Sequence, residues 1–500
     1  MSASLPDTYD AFAAHMRQLT ALSQAAGVLS WDQEVMMPPK GAAGRAEQMA
    51  ALSTVMHEKI TDPRMGDWLD ALEDGSADFS SVEAANIRLA RKKYARASKV
   101  PGRLATELAR TTSMAQTVWA KARAAKDYAA FAPTLKNIID LKREEAGYIA
   151  ADGQSAYDAL LADFEPGMTV AVLRPLLEGL RPRLSALRER IAEKAHTQPK
   201  LSGTFSADAQ MKLARELADV LNYDWQEGRL DLSVHPFSSG TRGDSRITTR
   251  VDDHDPMGCL YSTVHELGHA LYEVGLPEEH QFMPAGQHVS MGVHESQSRL
   301  WENQIGRCAA FCRWLAPRFA KAFDRPELAQ GDTLYRVINR VETGFIRTEA
   351  DEVHYNLHVL LRFELEEDLM AGNLSVDDLE GEWASRFERD FGTAVPDASL
   401  GVLQDVHWSV GLFGYFPTYA LGNIYAAQLY QKLETDLGTL DDRLEKGETG
   451  DILAWLRKNV HEKGSLLPAD ELMEQASGQP VSGEPLLDYL EEKYSALLDL

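Results

Sequence analysis

The chain has 500 residues, with 51 Lys or Arg against 76 Asp or Glu, and so carries a formal charge of −25 at pH 7. An acidic surface of this kind repels phosphate backbones, which speaks against a nucleic-acid partner. Hydrophobic residues at 44% and charged residues at 25% fit an ordinary soluble globular protein, and three cysteines are too few for a disulfide framework.

The opening stretch "MSASLPDTYDAFAAHMRQ" has no basic start followed by an apolar run, so no export signal is expected and the cytoplasm is the expected compartment. Helical periodicity then dominates the first two hundred residues. "SVEAANIRLARKKYARASKV" and "FAPTLKNIIDLKREEAGYIA" place apolar residues three and four apart, with charges on the opposite faces. Between Leu230 and Val251 the texture changes to β-branched residues, Gly and Ser, and the alternation in "SRITTRV" predicts a strand or two.

Helices resume at Asp255, and a long one is expected over about residues 332 to 371. Cys308 and Cys312, one helical turn apart, read as small buried apolar residues. From Trp408 to Gln431 no residue is charged, a length that could span a bilayer. Gly411, Gly414, Pro417, Gly422 and Asn423 instead predict a buried loop running into a helix, and no membrane partner. A final helix follows the loop "ASGQPVSGEP".

The stretch "TVHELGHALYE" carries the chemistry. Asp255 and Pro256 predict a helix start, and Gly275 with Pro277 its end. His265 and His269 are one turn apart, so both imidazoles can reach one point. Glu266 is rotated about 100° from His265 and can stand beside a metal-bound water as its base. A chance HExxH is expected in ~0.03 chains of this composition. A tetrahedral zinc needs a third protein ligand, and Glu295 in "GVHESQSRLWEN" can supply it from a second helix. Arg299, one turn on, can hold Glu295 in place. His354 and His358 in "HYNLH" also share a face but lack a glutamate in the base position. Packing or substrate contact suits them better.

These residues and five further motifs resemble the carboxypeptidase Taq family of zinc metallocarboxypeptidases. The motifs are "HPF" (His235 to Phe237), "DSRIT" (Asp244 to Thr248), "HESQSR" (His294 to Arg299), "IRTEAD" (Ile346 to Asp351) and "GVLQDVHW" (Gly401 to Trp408). The resemblance implies a mainly α, saddle-like helical body with a deep groove and a small antiparallel β-sheet beside it. No linker is long enough to force a domain cut, so a single peptidase domain over residues 1–500 is expected, with a soft division near residue 200. The resemblance also implies removal of single residues from the free C-termini of peptides, one Zn2+ per chain with Co2+ as a substitute, and a homodimer. In the family pattern His265, His269 and Glu295 bind the metal and Glu266 is the base.

The remaining roles follow from the chemistry such a reaction needs. An oxyanion needs a donor besides the metal, and the candidates are His407, Tyr415 and Tyr419. Asp405 and His294 are candidates for orienting a histidine or a metal ligand. A terminal carboxylate calls for a guanidinium fork, and Arg347 is the first candidate. Arg246 either faces the groove or is tied to Asp244. Competing expectations are an oligopeptidase of the related helical superfamily and an inactive helical scaffold.

Overall fold

The computed structural model describes residues 4–75 and 79–500, and 70% of the chain is helical. α1 (Leu5–Val35) starts where the Ser4 side chain takes the Asp7 amide. α2 (Ala42–Ile60) packs against α1, while α1, α3 (Pro63–Asp74) and α4 (Ser81–Lys99) enclose a small core around Phe12, Met16, Leu69 and Ile87. A Ser80–Glu83 capping box fixes the start of α4. α5 (Gly102–Ala125), α6 (Tyr128–Ile149), α7 (Ala156–Leu161), α8 (Val170–Lys194) and α9 (Ala207–Val220) lead into the main core. That core runs from Ala115 to Leu498 and is continuous across residue 200.

The sheet has strands β1 (Gly228–Leu232), β2 (Ser238–Thr241) and β3 (Asp244–Thr249) in the order β1-β3-β2. It is mixed, and so differs from the antiparallel sheet expected. β2 and β3 are antiparallel because only Arg242 and Gly243 join them, the latter at φ +83°. β1 runs parallel to β3 because β2 intervenes in the chain and turns it back. Arg229 and Arg246 face each other in that parallel register, and their guanidiniums lie 4.6 and 4.3 Å from the Trp31 ring centroid. These contacts fasten α1 to the sheet.

α10 (Pro256–Gly275) begins at the predicted cap, where Asp255 accepts the Gly258 amide. α11 (Met291–Arg299) begins at Ser290, and a buried carboxylate, Glu165, takes the Gly292 amide and the Ser290 and Tyr425 hydroxyls there. α11 runs directly into a π-helical turn, Leu300–Ile305. Next come α12 (Ala309–Phe323) and α13 (Gly331–Ile338).

The long helix expected over 332–371 is interrupted. α13 ends at Ile338, a 3-10 turn covers Arg347–Glu349, and α14 (Glu352–Ala371) starts afresh because Asp351 caps the Val353 and His354 amides. α15 (Leu379–Phe391), α16 (Pro417–Leu437), α17 (Asp441–Leu444), α18 (Gly450–Asn459), α19 (Ala469–Ser477) and α20 (Glu484–Leu498) complete the chain. The uncharged stretch from Trp408 is a buried 3-10 turn leading into α16, and no described helix is long and apolar enough to cross a membrane.

Two glycines set how closely the central helices approach. A Cβ on Gly268 of α10 would lie 2.5 Å from the Ser298 Cα of α11. A Cβ on Gly422 of α16 would lie 2.4 Å from the Glu295 Cγ. α11 is therefore clamped between α10 and α16, with glycine at both contacts. Gly268→Ala is expected to destabilise the protein by about 1–3 kcal/mol, because the clash is with backbone that cannot rotate away. A lowered thermal midpoint against the unaltered chain checks this.

Candidate metal centre

α10 delivers His265 and His269 on one face, with ring centroids 4.9 Å apart. α11 brings Glu295 against them: its Oε2 lies 3.6 Å from Nε2 of His265 and 3.4 Å from Nε2 of His269. One ligand atom from each of the three falls within 4.8 Å of the others. Two imidazole nitrogens and a carboxylate oxygen are a zinc donor set that leaves a coordination position open. The residues therefore fit the implied ion. Glu266 is buried beside them at 7% exposure. Burial pushes its carboxyl up to about 7, with His265 pulling it down and Glu295 pushing it further up.

Each ligand candidate has a partner behind it. Nδ1 of His265 is 2.9 Å from Oε2 of Glu302, which also meets Arg299 and Arg307. The π-helical turn supplies Glu302, and such turns recur at functional sites. Nδ1 of His269 is 2.6 Å from Nδ1 of His294, and Nε2 of His294 is 3.0 Å from Oε1 of Glu273. Arg299 donates to Glu295 at 2.7 Å and Ser298 donates at 3.1 Å. Burial opposes a charge on Glu295, but Arg299 and then His265 outweigh it and hold its carboxyl well below the usual range.

Arg347 and Asp405 meet at a second charged cluster. Two guanidinium nitrogens of Arg347 lie 3.1 and 3.0 Å from Oδ1 of Asp405, and Arg362 Nε donates to Oδ2 at 2.6 Å. Arg347 is 4% exposed and Arg362 fully buried. Two guanidiniums thus face one carboxylate. Tyr355 joins the clusters: its hydroxyl accepts from Arg347 at 2.9 Å, and Arg299 lies over its ring at 4.2 Å.

Asp405 pairs with the arginines rather than with a metal-side histidine; its nearest contact with His407 is 3.9 Å. Burial drives His407 down to about 4, with Asp405 pulling it up and Arg347 pushing it down, so the ring is neutral at neutral pH. Nε2 of His407 is 3.1 Å from the Tyr419 hydroxyl, while its buried Nδ1 has no hydrogen-bond partner among the described residues. Burial and then the Glu295 carboxylate push Tyr415 up to about 12, and Tyr419 also feels Glu295. Arg347 lies 4.5 Å from the Tyr419 ring centroid, and the Tyr415 and Tyr419 rings are 5.4 Å apart.

Arg246 is bidentate to Asp244, at 2.7 and 2.9 Å, and stacked on Trp31. His354 pairs with Asp351, and the His358 ring packs on Phe391. Sequence reasoning did not single out Glu273, Glu302, Tyr355 or Arg362. Glu273 stands four residues after His269, on the same helical face, and that spacing was a usable signal. Arg362 carried none, because its partner is 43 residues away.

The family model for the carboxypeptidase Taq (M32) metallopeptidases matches residues 11–494. The thermostable carboxypeptidase 1 of Thermus thermophilus is 43% identical, covering 96% of this chain and 97% of its own. Among solved structures, metallocarboxypeptidase 1 of Trypanosoma cruzi is 36% identical with a TM-score of 0.95, covering 98% of this chain and 100% of its own. The M32 carboxypeptidase of Deinococcus radiodurans is 34% identical with a TM-score of 0.95, covering 99% and 100%. Replacing Glu302 with Gln is expected to weaken zinc uptake by about 10–100-fold, because His265 loses the charged acceptor that orients it. Equilibrium dialysis against buffered zinc measures the change.

Proposed function

The chain belongs to the carboxypeptidase Taq (M32) metallopeptidase family and is a metallocarboxypeptidase, and from that premise we propose how its own residues do the work. His265, His269 and Glu295 hold a zinc ion, with cobalt as a substitute, and single residues are released from peptide C-termini. The observation that carries this reading is the convergence of three ligand atoms from two helices with a buried glutamate beside them. Bound there, zinc supplies Lewis-acid polarisation and lowers the pKa of a water toward ~7.

Glu266 accepts the proton of the attacking water and returns it to the leaving amine. Its burial suits both halves of that task, since a carboxyl raised toward neutrality takes and gives a proton at similar cost. Tyr415 and the His407–Tyr419 pair provide neutral donors for the oxyanion. Neutrality matters here because a charged histidine would compete with Arg347 for the substrate carboxylate. Arg347, held by Asp405 and Tyr355, receives that carboxylate. One positive charge of the Arg347–Arg362 pair is left over after Asp405, and a C-terminal carboxylate offsets it. Arg246, committed to Asp244 and Trp31, is assigned to the sheet instead. The same reading takes the chain as one peptidase domain and includes a homodimer. It also includes a cytoplasmic setting, which suits three cysteines left unpaired.

Four outcomes test this reading. Glu266→Gln is expected to lose about 10²–10⁴-fold in kcat while keeping the zinc content of the unaltered chain, measured by turnover and elemental analysis. A peptide with an amidated C-terminus is expected to resist the enzyme that cleaves its free-acid form, and Arg347→Ala is expected to raise KM for the free acid. Hydrolysis of the amide at an equal rate would overturn the role of Arg347. Glu266 must be ionised to act, so activity falls as pH drops, by about tenfold per unit on the acid limb. A cation beside Glu266 draws its pKa down, which places that limb below 7. A pH–rate profile of kcat/KM reads it directly.

A further inference from the structure

A second set of metal-ligating atoms converges next to the first. Glu273, His288 and His294 each bring one donor atom, and the three lie within 4.8 Å of one another. Oε1 of Glu273 is 2.9 Å from Nδ1 of His288 and 3.0 Å from Nε2 of His294. Glu273 comes from the last turns of α10 and His294 from α11, while His288 sits on the segment between them. Ser465 fixes that segment by donating to the Gln287 and His288 carbonyls at 2.8 and 2.9 Å. The His288 and His294 rings stand nearly perpendicular, with centroids 5.0 Å apart.

We propose that Glu273, His288 and His294 form a second cation site for a borderline divalent ion such as Zn2+, and that its occupancy opposes occupancy of the first. The donors are the same two imidazoles and one carboxylate found at the His265–His269–Glu295 centre, so the same class of ion suits both. The second site is the more open. The His288 side chain is 39% exposed, against 14% for His269, which leaves room for water on the ion and makes the site weaker and faster to exchange.

The antagonism follows from proximity and charge. The His269 and His294 rings, one from each site, have centroids 4.6 Å apart, so cations held at the two sites repel each other at short range. Local charge works in the same direction: Glu266, Glu273, Glu295 and Glu302 stand around the two sites with Arg299 and Arg307, a deficit that one divalent ion already removes.

The second site stands on its own donors, whereas the antagonism rests on His269 being a ligand of the first. The test is calorimetric titration of the metal-free full-length protein with Zn2+ at fixed pH. Two equivalents are expected, the second weaker. His288→Ala is expected to bind one equivalent and keep full activity. His265→Ala is expected to lose activity and bind one equivalent, on the order of tenfold tighter than the second equivalent of the unaltered protein. A second equivalent that survives His288→Ala overturns the site. So does a single equivalent that His265→Ala abolishes. Unchanged affinity in His265→Ala overturns the antagonism. A single equivalent that His288→Ala abolishes and His265→Ala keeps overturns the catalytic-site reading instead.

Discussion

Glu295 is buried at 6% exposure between two helices, and a carboxylate so placed keeps its charge only where cations surround it. Arg299 supplies one, and the His265–His269 pair is set to share another. The packing that brings the carboxylate there is itself demanding. Gly268 and Gly422 remove the side chains that would hold α11 away from α10 and α16. Glu165 secures the N-terminal end of α11 through its first-turn amide and two hydroxyls. Most of the central architecture serves to hold one negative charge at a chosen depth.

Charge balance then divides the site into two ends of opposite sign. At the metal end, four carboxylates face two guanidiniums. At the other end, Arg347 and Arg362 both pair with the one carboxylate of Asp405. On the reading proposed here, a divalent ion answers the first imbalance and the substrate's terminal carboxylate the second. Tyr355 lies between them, its hydroxyl on Arg347 and its ring under Arg299. Neutral groups fill the space where the scissile bond would lie: Tyr415, Tyr419 and His407. A charge there would disturb both ends.

What was legible in the sequence is what helical spacing encodes. The i,i+4 pair of His265 and His269, the cap at Asp255 and the Glu295–Arg299 pair all follow from 3.6 residues per turn, and the structure has each of these helices. Glu302 was hidden because a π-helical turn, which no periodicity announces, rotates it toward His265. Arg362 and Tyr355 were hidden because their partners come from other segments. The same limit explains the interrupted helix. Residues 332–371 keep an apolar pattern throughout, but the break is decided locally, by Asp351 capping two amides. The parallel pairing of β1 with β3 was likewise out of reach, since strand alternation specifies a face and not a neighbour.

On the reading proposed here, the two histidine ligands are supported unequally, and that difference has a chemical consequence. His265 leans on Glu302, a carboxylate already shared by Arg299 and Arg307. Its orientation is therefore fixed by charges that do not depend on any proton position. His269 leans on another imidazole, which passes the contact to Glu273. An imidazole offers less negative charge than a carboxylate, so His269 is the less basic and more adjustable of the two. Burial with limited compensation also drives its pKa down to about 3, with the Glu295 hydrogen bond pulling it up and His294 pushing it further down. A neutral, weakly basic ligand on one side and a firmly held one on the other would keep the total charge on a bound cation high. Such a cation would polarise water and carbonyl oxygen more strongly, so on this reading the asymmetry between Glu302 and His294 would favour the hydrolytic reaction over mere retention of the ion.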